Sequence, residues 1–339
     1  MTEHEHDLAD VIAIDRSDRR RCDLLLASGG RCRNWAGPSG RCRIHEPGTG
    51  DDVAGESPSA GTLEESLARL LAFIRRRVTG DYDIDLYGFD RDLTEHVILP
   101  LARPLYRSYF RVRTTGMDNV PSTGGALLVA NHAGALPLDA VMTKVALLDE
   151  HPARRNLREL AGDLALRMPG VGALARKTGN TLAHDDDAVR LLRDGELVGV
   201  WPEGYKGIGK PFRERYKLAR FGRGGHIRVA LRAGAPIIPV AIIGSEETYP
   251  IVGNVSWLAR LLNLPYFPVT WQFPLLGPLG LLPLPSRWVI EFGTPIDLSD
   301  HSPDDADDPM LVLELSDHVR DTVQQMLYRN LMERRSIFF

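Results

Sequence analysis

Three short apolar runs stand out from a polar, charged background, at positions 126–130, 197–201 and 236–244. Each is short and bounded by turn-forming residues, which predicts buried β-strands. Between them, apolar residues recur at helical spacing. Segments 139–148, 157–166, 186–194 and 225–233 predict helices, and Pro169-Gly170-Val171-Gly172 breaks the second. Upstream, Thr62 can cap a helix with Glu65 three residues on. Leu63, Leu67, Leu70, Leu71 and Ile74 share one face of it, and Arg75-Arg76-Arg77 closes it with the charge the helix dipole favours. Segment 97–110 predicts a second apolar helix, 288–292 a late strand, and 311–333 a terminal amphipathic helix. Strands alternating with helices predict an α/β fold, with a mixed central sheet flanked by helices and preceded by a small Cys/His-rich segment.

Composition divides the chain further. Residues 1–20 are charged and read as a disordered tail, 21–46 carry the cysteines, 47–62 read as a Gly/Pro/Ser-rich linker, and 63–339 form the main domain. With 339 residues, 43% of them hydrophobic, the chain can bury a substantial core. The net charge of −4 argues against a general polyanion binder, and no strong nucleic-acid signal is present. The first residues lack an apolar signal-peptide core, and three cysteines do not make a disulfide framework, so a cytoplasmic location is expected. Residues 261–286 are uncharged, long enough for a bilayer crossing at ~20 residues, but interrupted by six prolines. Prolines remove helix hydrogen bonds that lipid cannot replace, so a spanning helix is not expected. The run predicts either an apolar loop resting on a membrane surface or lining an acyl-chain pocket, or a buried irregular loop.

Reactive residues stand at the ends of two of the predicted strands. Asn131-His132, with Asp139 downstream, comes after the first; Trp201-Pro202-Glu203-Gly204 lies at the end of the second. Strands ending in polar residues deliver them to one edge of a sheet, where α/β proteins keep their sites. A histidine with a nearby aspartate can take a proton from a hydroxyl. An isolated Asn-His pair would read rather as a solvent-exposed loop histidine. The ordered series Asn131-His132…Asp139, Pro202-Glu203-Gly204 and Pro236-Ile237-Ile238-Pro239-Val240 resembles three blocks of the glycerolipid acyltransferases, the lysophosphatidate-acyltransferase-like enzymes, over roughly 95–300. The resemblance implies acyl transfer from acyl-CoA or acyl carrier protein to a lysophospholipid or related lipid hydroxyl, on the inner face of a membrane and without a catalytic cofactor. It casts His132 as general base and Asp139 as its orienting acid. Asn131, Glu203 and Gly204 then belong to substrate binding, and Lys206, Lys210, Arg213 and Arg176 are cations that could pair with phosphate. The chain departs from that pattern in two respects: six residues separate His132 from Asp139 where the family has four, and Trp201 and Tyr205 sit where Phe and Thr are frequent in the family. No Gly-x-Ser-x-Gly elbow offers a serine nucleophile.

Two further readings arise from the same residues. Residues 204–210 approach a phosphate-cradling loop, but Pro211 stands where a metal-binding hydroxyl is needed, so nucleotide binding is the lesser alternative. A non-catalytic, membrane-associated lipid-binding protein is another. In the N-terminal segment Cys22, Cys32, Cys42 and His45 have the spacing Cys-x9-Cys-x9-Cys-x2-His. Three thiolates and an imidazole complete a tetrahedral set, and the segment resembles small Cys3His zinc motifs, so a structural zinc is expected there.

Overall fold

The structure is a computed structural model. It describes residues 63–134, 136–168, 170–261, 266–334 and 336–338. The zinc reading of Cys22, Cys32, Cys42 and His45, and the tail and linker readings, lie outside the described residues.

The strands are β1 (Arg113–Thr115), β2 (Ala126–Ala130), β3 (Leu157–Ala161), β4 (Asn180–Leu182), β5 (Leu197–Val200), β6 (Ile237–Ile243), β7 (Ile251–Asn254), β8 (Pro268–Thr270) and β9 (Val289–Phe292). Among the described residues, seven of them form one sheet in the order β1-β9-β6-β2-β5-β3-β4, parallel except for the antiparallel β6–β9 pair. The mixed α/β architecture agrees with the strand and helix pattern. β2 and β6 lie at its centre and are buried along their whole length, as near-continuous apolar runs in a parallel sheet should be. Successive side chains of β2 serve opposite faces. Ala126, Leu128 and Ala130 pack with Met142, Leu147 and Phe110, whereas Leu127 and Val129 pack with Leu191, Ile227 and Val319.

Helices Leu138–Asp149, Asp185–Arg193, Gly225–Ala233 and Pro309–Glu333 form where apolar spacing places them. The second upstream helix is less regular than expected: around Pro100 and Pro104 it opens into wide π turns at Thr94–Ile98 and Leu105–Tyr109. The first helix, Leu63–Thr79, is held by Arg76 on Asp92 and Arg77 on Asp90, both at 2.6 Å. Its expected core face is not covered by the described residues: Leu67, Leu70, Leu71 and Ile74 are exposed.

Segment 157–166 corrects the helical expectation. It is strand β3 with a short helix, Asp163–Arg167, after it. Two charged residues sit inside β3 because distant partners meet them. Glu159 takes the Lys144 ammonium at 3.1 Å and the Asn180 amide at 2.8 Å, while Arg158 reaches Asp85 at 2.6 Å. Burial pushes Lys144 below and Glu159 above their ordinary values, each resisted by the other's charge.

The described residues of 261–286 enter no long helix, and no helix among the described residues is long and apolar enough to cross a membrane. Neither do they form a buried loop. Together with the β7–β8 hairpin and the helix Ser256–Leu261 they build a cap whose leucines and tryptophans are largely exposed.

Candidate active site

β2 and β5 are adjacent and parallel, with Val129 paired to Val200. The residues after them therefore leave the sheet at the same edge. This brings His132 and Glu203, 71 residues apart in sequence, into direct contact: the His132 backbone N–H donates to Glu203 Oε1 at 3.1 Å.

The six-residue gap between His132 and Asp139 closes. Asp139 Oδ2 lies 2.7 Å from His132 Nδ1 and also accepts from Ala133 N at 3.1 Å. Gly134 turns the chain at φ +90°, a conformation that side chains disfavour, and the added residues bulge outward at exposed Leu136 and Pro137. Asp139 itself is fully buried in the first turn of the Leu138–Asp149 helix, where the dipole favours an anion. Its Oδ1 accepts from Ala140 N at 2.9 Å. A carboxylate can only accept, so in the neutral imidazole the contact assigns the proton to Nδ1 and leaves Nε2 as an acceptor. No hydrogen bond to Nε2 forms among the described residues, and 14% of the side-chain surface stays open.

A buried ionic network holds the histidine loop from beneath. Glu203 Oε2 accepts from Ala219 N at 2.7 Å and from Lys210 Nζ at 3.1 Å, and Lys210 reaches Glu246 Oε1 at 3.4 Å. Glu246 accepts from Tyr216 N at 2.9 Å; its neighbour Glu247 takes the Tyr216 hydroxyl and pairs with Arg334 at 2.8 Å. Burial pushes the Glu246 carboxyl up to about 7, against the pull of Lys210. Gly207 seals the junction: a β-carbon there would lie 2.7 Å from the His132 carbonyl oxygen. The Trp201 ring lies 5.9 Å from the imidazole, centre to centre.

The structure places the residues that the sequence pointed toward substrate as follows. Asn131 is fully buried; its amide donates to Ile242 O at 2.9 Å and accepts from Ile242 N at 2.7 Å, so it continues the β2–β6 ladder. Glu203 pairs with Lys210 and accepts from two backbone N–H groups, and the Lys210 ammonium faces the carboxylates of Glu203 and Glu246. Gly204, Lys206 and Arg213 are exposed on the same stretch. Arg176 sits elsewhere, on the helix Val171–Lys177, where it bonds Leu166 O at 3.3 Å; among the described residues, no hydrogen bond or ion pair links it to the histidine loop. Sequence reasoning missed Glu246, Glu247 and Tyr216. The one available signal was that Ser245-Glu246-Glu247 stands just after an apolar strand, as His132 and Glu203 do.

Known proteins bear on this arrangement. A family model described as Acyltransferase matches residues 111–243, the span from just before β1 to the end of β6. A Mycobacterium tuberculosis protein described as uncharacterized is 52% identical over 295 residues, 87% of this chain and 82% of its own length. The 1-acyl-sn-glycerol-3-phosphate acyltransferase of Borreliella burgdorferi is 25% identical over 150 residues, 43% of this chain and 56% of that one. Among solved structures, the 1-acyl-sn-glycerophosphate acyltransferase PlsC of Thermotoga maritima aligns over 80% of this chain and 98% of its own, with 18% identity and a TM-score of 0.47. The chain belongs to one family with the mycobacterial protein, and its residues 111–243 match the Acyltransferase family model.

Proposed function

We propose that the chain transfers a fatty acyl group from a thioester, acyl-CoA or acyl carrier protein, to the free hydroxyl of a lysophospholipid or related glycerolipid. The observation that carries this reading is the 2.7 Å contact between His132 Nδ1 and a buried Asp139, with Nε2 left open at the edge where β2 and β5 end. In the proposed step Nε2 takes the hydroxyl proton as the acceptor oxygen attacks the thioester carbonyl carbon. The tetrahedral intermediate then collapses, the C–S bond breaks, and the imidazolium returns the proton to the departing thiolate. Asp139 holds the ring and balances its transient charge. The exposed Lys206, and Arg213 with Glu214 beside it at 3.5 Å, are the cations offered to an acceptor phosphate, while Glu203 and Lys210 act by holding the histidine loop.

The test is a panel of purified acceptors given to the full chain with labelled acyl-CoA or acyl carrier protein. The panel comprises lysophosphatidate, other lysophospholipids, monoacylglycerol and a long-chain alcohol. A new acyl ester on a monoacyl glycerolipid is expected. Acylation confined to the long-chain alcohol, or thioester hydrolysis with no lipid product, would remove the glycerolipid assignment.

A further inference from the structure

We infer that the cap built on the β7–β8 hairpin, from the described residues 251–261 and 266–284, is a docking surface for a bilayer rich in anionic lipid. Its apolar side chains are turned outward: Leu275 is 85% exposed, Leu279 66%, Trp257 65% and Trp271 61%. So many exposed large apolar side chains gathered in one segment point to an interaction site, because water contact with them is unfavourable. Its composition selects the occupant. From Thr248 to Ile290 the chain contains no aspartate or glutamate, and its charged residues there are Arg260 and Arg287. Tryptophan and arginine beside exposed leucines suit an interface with headgroups above and acyl chains below.

Cations continue from the cap onto the main domain. Phe212 meets Trp271 at 5.9 Å between ring centres, and Arg215 lies over the Phe212 ring at 4.5 Å, with Arg213 beside it. Arg213, Arg215, Lys217 and Arg260 are all exposed. Glu214, 3.5 Å from Arg213, offsets one of these charges, and the net excess of cations beside an acid-free apolar segment complements an anionic membrane, where each cation adds attraction. The cap also adjoins the candidate active site. The Tyr249 hydroxyl donates to Leu281 O at 2.7 Å, and a β-carbon on Gly134 of the histidine loop would lie 3.9 Å from the Tyr249 ring. A lipid leaving the bilayer at the cap would be delivered next to His132.

The experiment needs no activity and so stands apart from the acyl-transfer reading. Co-sedimentation of the full chain is measured with vesicles of phosphatidylcholine alone and of phosphatidylcholine with about one-third phosphatidylglycerol, a charge density that lets basic residues tell the two apart. Preferential binding to the anionic vesicles, weakened by salt, is expected. The variant Trp257→Ser/Leu275→Ser/Leu276→Ser/Leu279→Ser should bind at least about tenfold more weakly with an unchanged melting temperature, since it removes the apolar anchors and leaves the cations. A readout independent of that variant is quenching of tryptophan emission by lipids brominated on the acyl chain, present in the parent and lost in Trp257→Phe/Trp271→Phe. Equal vesicle binding by parent and serine variant would overturn the proposal. So would a parent that ignores vesicles and self-associates through the cap, or one whose quenching survives the phenylalanine substitutions.

Discussion

Replacing Lys210 with methionine tests whether the buried network supports the histidine loop. The Lys210 side chain is 6% exposed, Glu203 0% and Glu246 6%, and the ammonium lies 3.1 and 3.4 Å from the two carboxylates. Methionine fills similar space but leaves both acids without a cation. Removing one partner of a buried ion pair costs about 3–5 kcal/mol. For a chain of this size roughly 2 °C is lost per kcal/mol, so the melting temperature should fall by roughly 6–10 °C. The loss should depend on pH in a defined direction. Glu246 titrates near 7 in the fold against an ordinary 4.5. Between those values the folded state holds a proton that the unfolded state releases, so this group's contribution declines as pH rises through the window. Without Lys210 the carboxyl is pushed higher still, and the variant's deficit should be larger at about pH 8 than at about pH 5.5, either side of that folded-state value. Adding Glu246→Gln to Lys210→Met should recover part of the loss at the higher pH. Thermal melts of the parent and the two variants at both pH values decide the matter; a deficit equal at the two pH values, or none, would refute the reasoning.

Asp139→Asn should reduce turnover by on the order of 10³–10⁴, the scale found where an acid orients a catalytic histidine, while circular dichroism shows the fold retained. Gly207→Ala should displace the His132 backbone, and a shift of about 1 Å can cost on the order of 100-fold in rate; kcat measured alongside a melt separates this from unfolding. His226 is buried, its Nε2 has no hydrogen-bond partner among the described residues, and burial pushes it down to about 4. Its stabilising contribution is complete above its ordinary value of 6.5 and is lost as pH falls toward 4. His226→Leu should therefore flatten the acid limb of a stability–pH curve measured between those values.

The central sheet was legible because β2, β5 and β6 are buried on both faces, which leaves apolar runs bounded by turns. The helix Gly225–Ala233 was legible for a related reason, since glycines stand at both of its ends. β3 was not. Its Arg158 and Glu159 are tolerated inside through partners distant in the chain, among them Asp85, Gly179, Lys144 and Asn180, and Leu157, Leu160 and Leu164 happen to keep helical spacing. The site divided along the same line. Chain order brought His132, Asp139 and Glu203 to one edge, because parallel neighbouring strands deliver the residues at their C-terminal ends to the same place. It could not tell a ligand-facing side chain from a structural one. Asn131 looks like part of a motif but spends its amide on Ile242, and Lys210 looks free until Glu246, 36 residues on, folds against it. The looped path through Leu136 and Pro137 was legible, since six residues between His132 and Asp139 and a proline ahead of the helix require one; the return of Asp139 to the histidine was not, since it depends on the backbone turn at Gly134.

The central claim is that His132 Nε2 removes the acceptor proton. Single-turnover acyl transfer by the parent and His132→Ala, with saturating thioester and the acceptor found in the panel, measures it directly. General-base catalysis of this kind contributes on the order of 10²–10⁴ to the rate. The account predicts a loss of that size in the variant, with the melting temperature and acceptor binding preserved; a variant that turns over at the parental rate would contradict it.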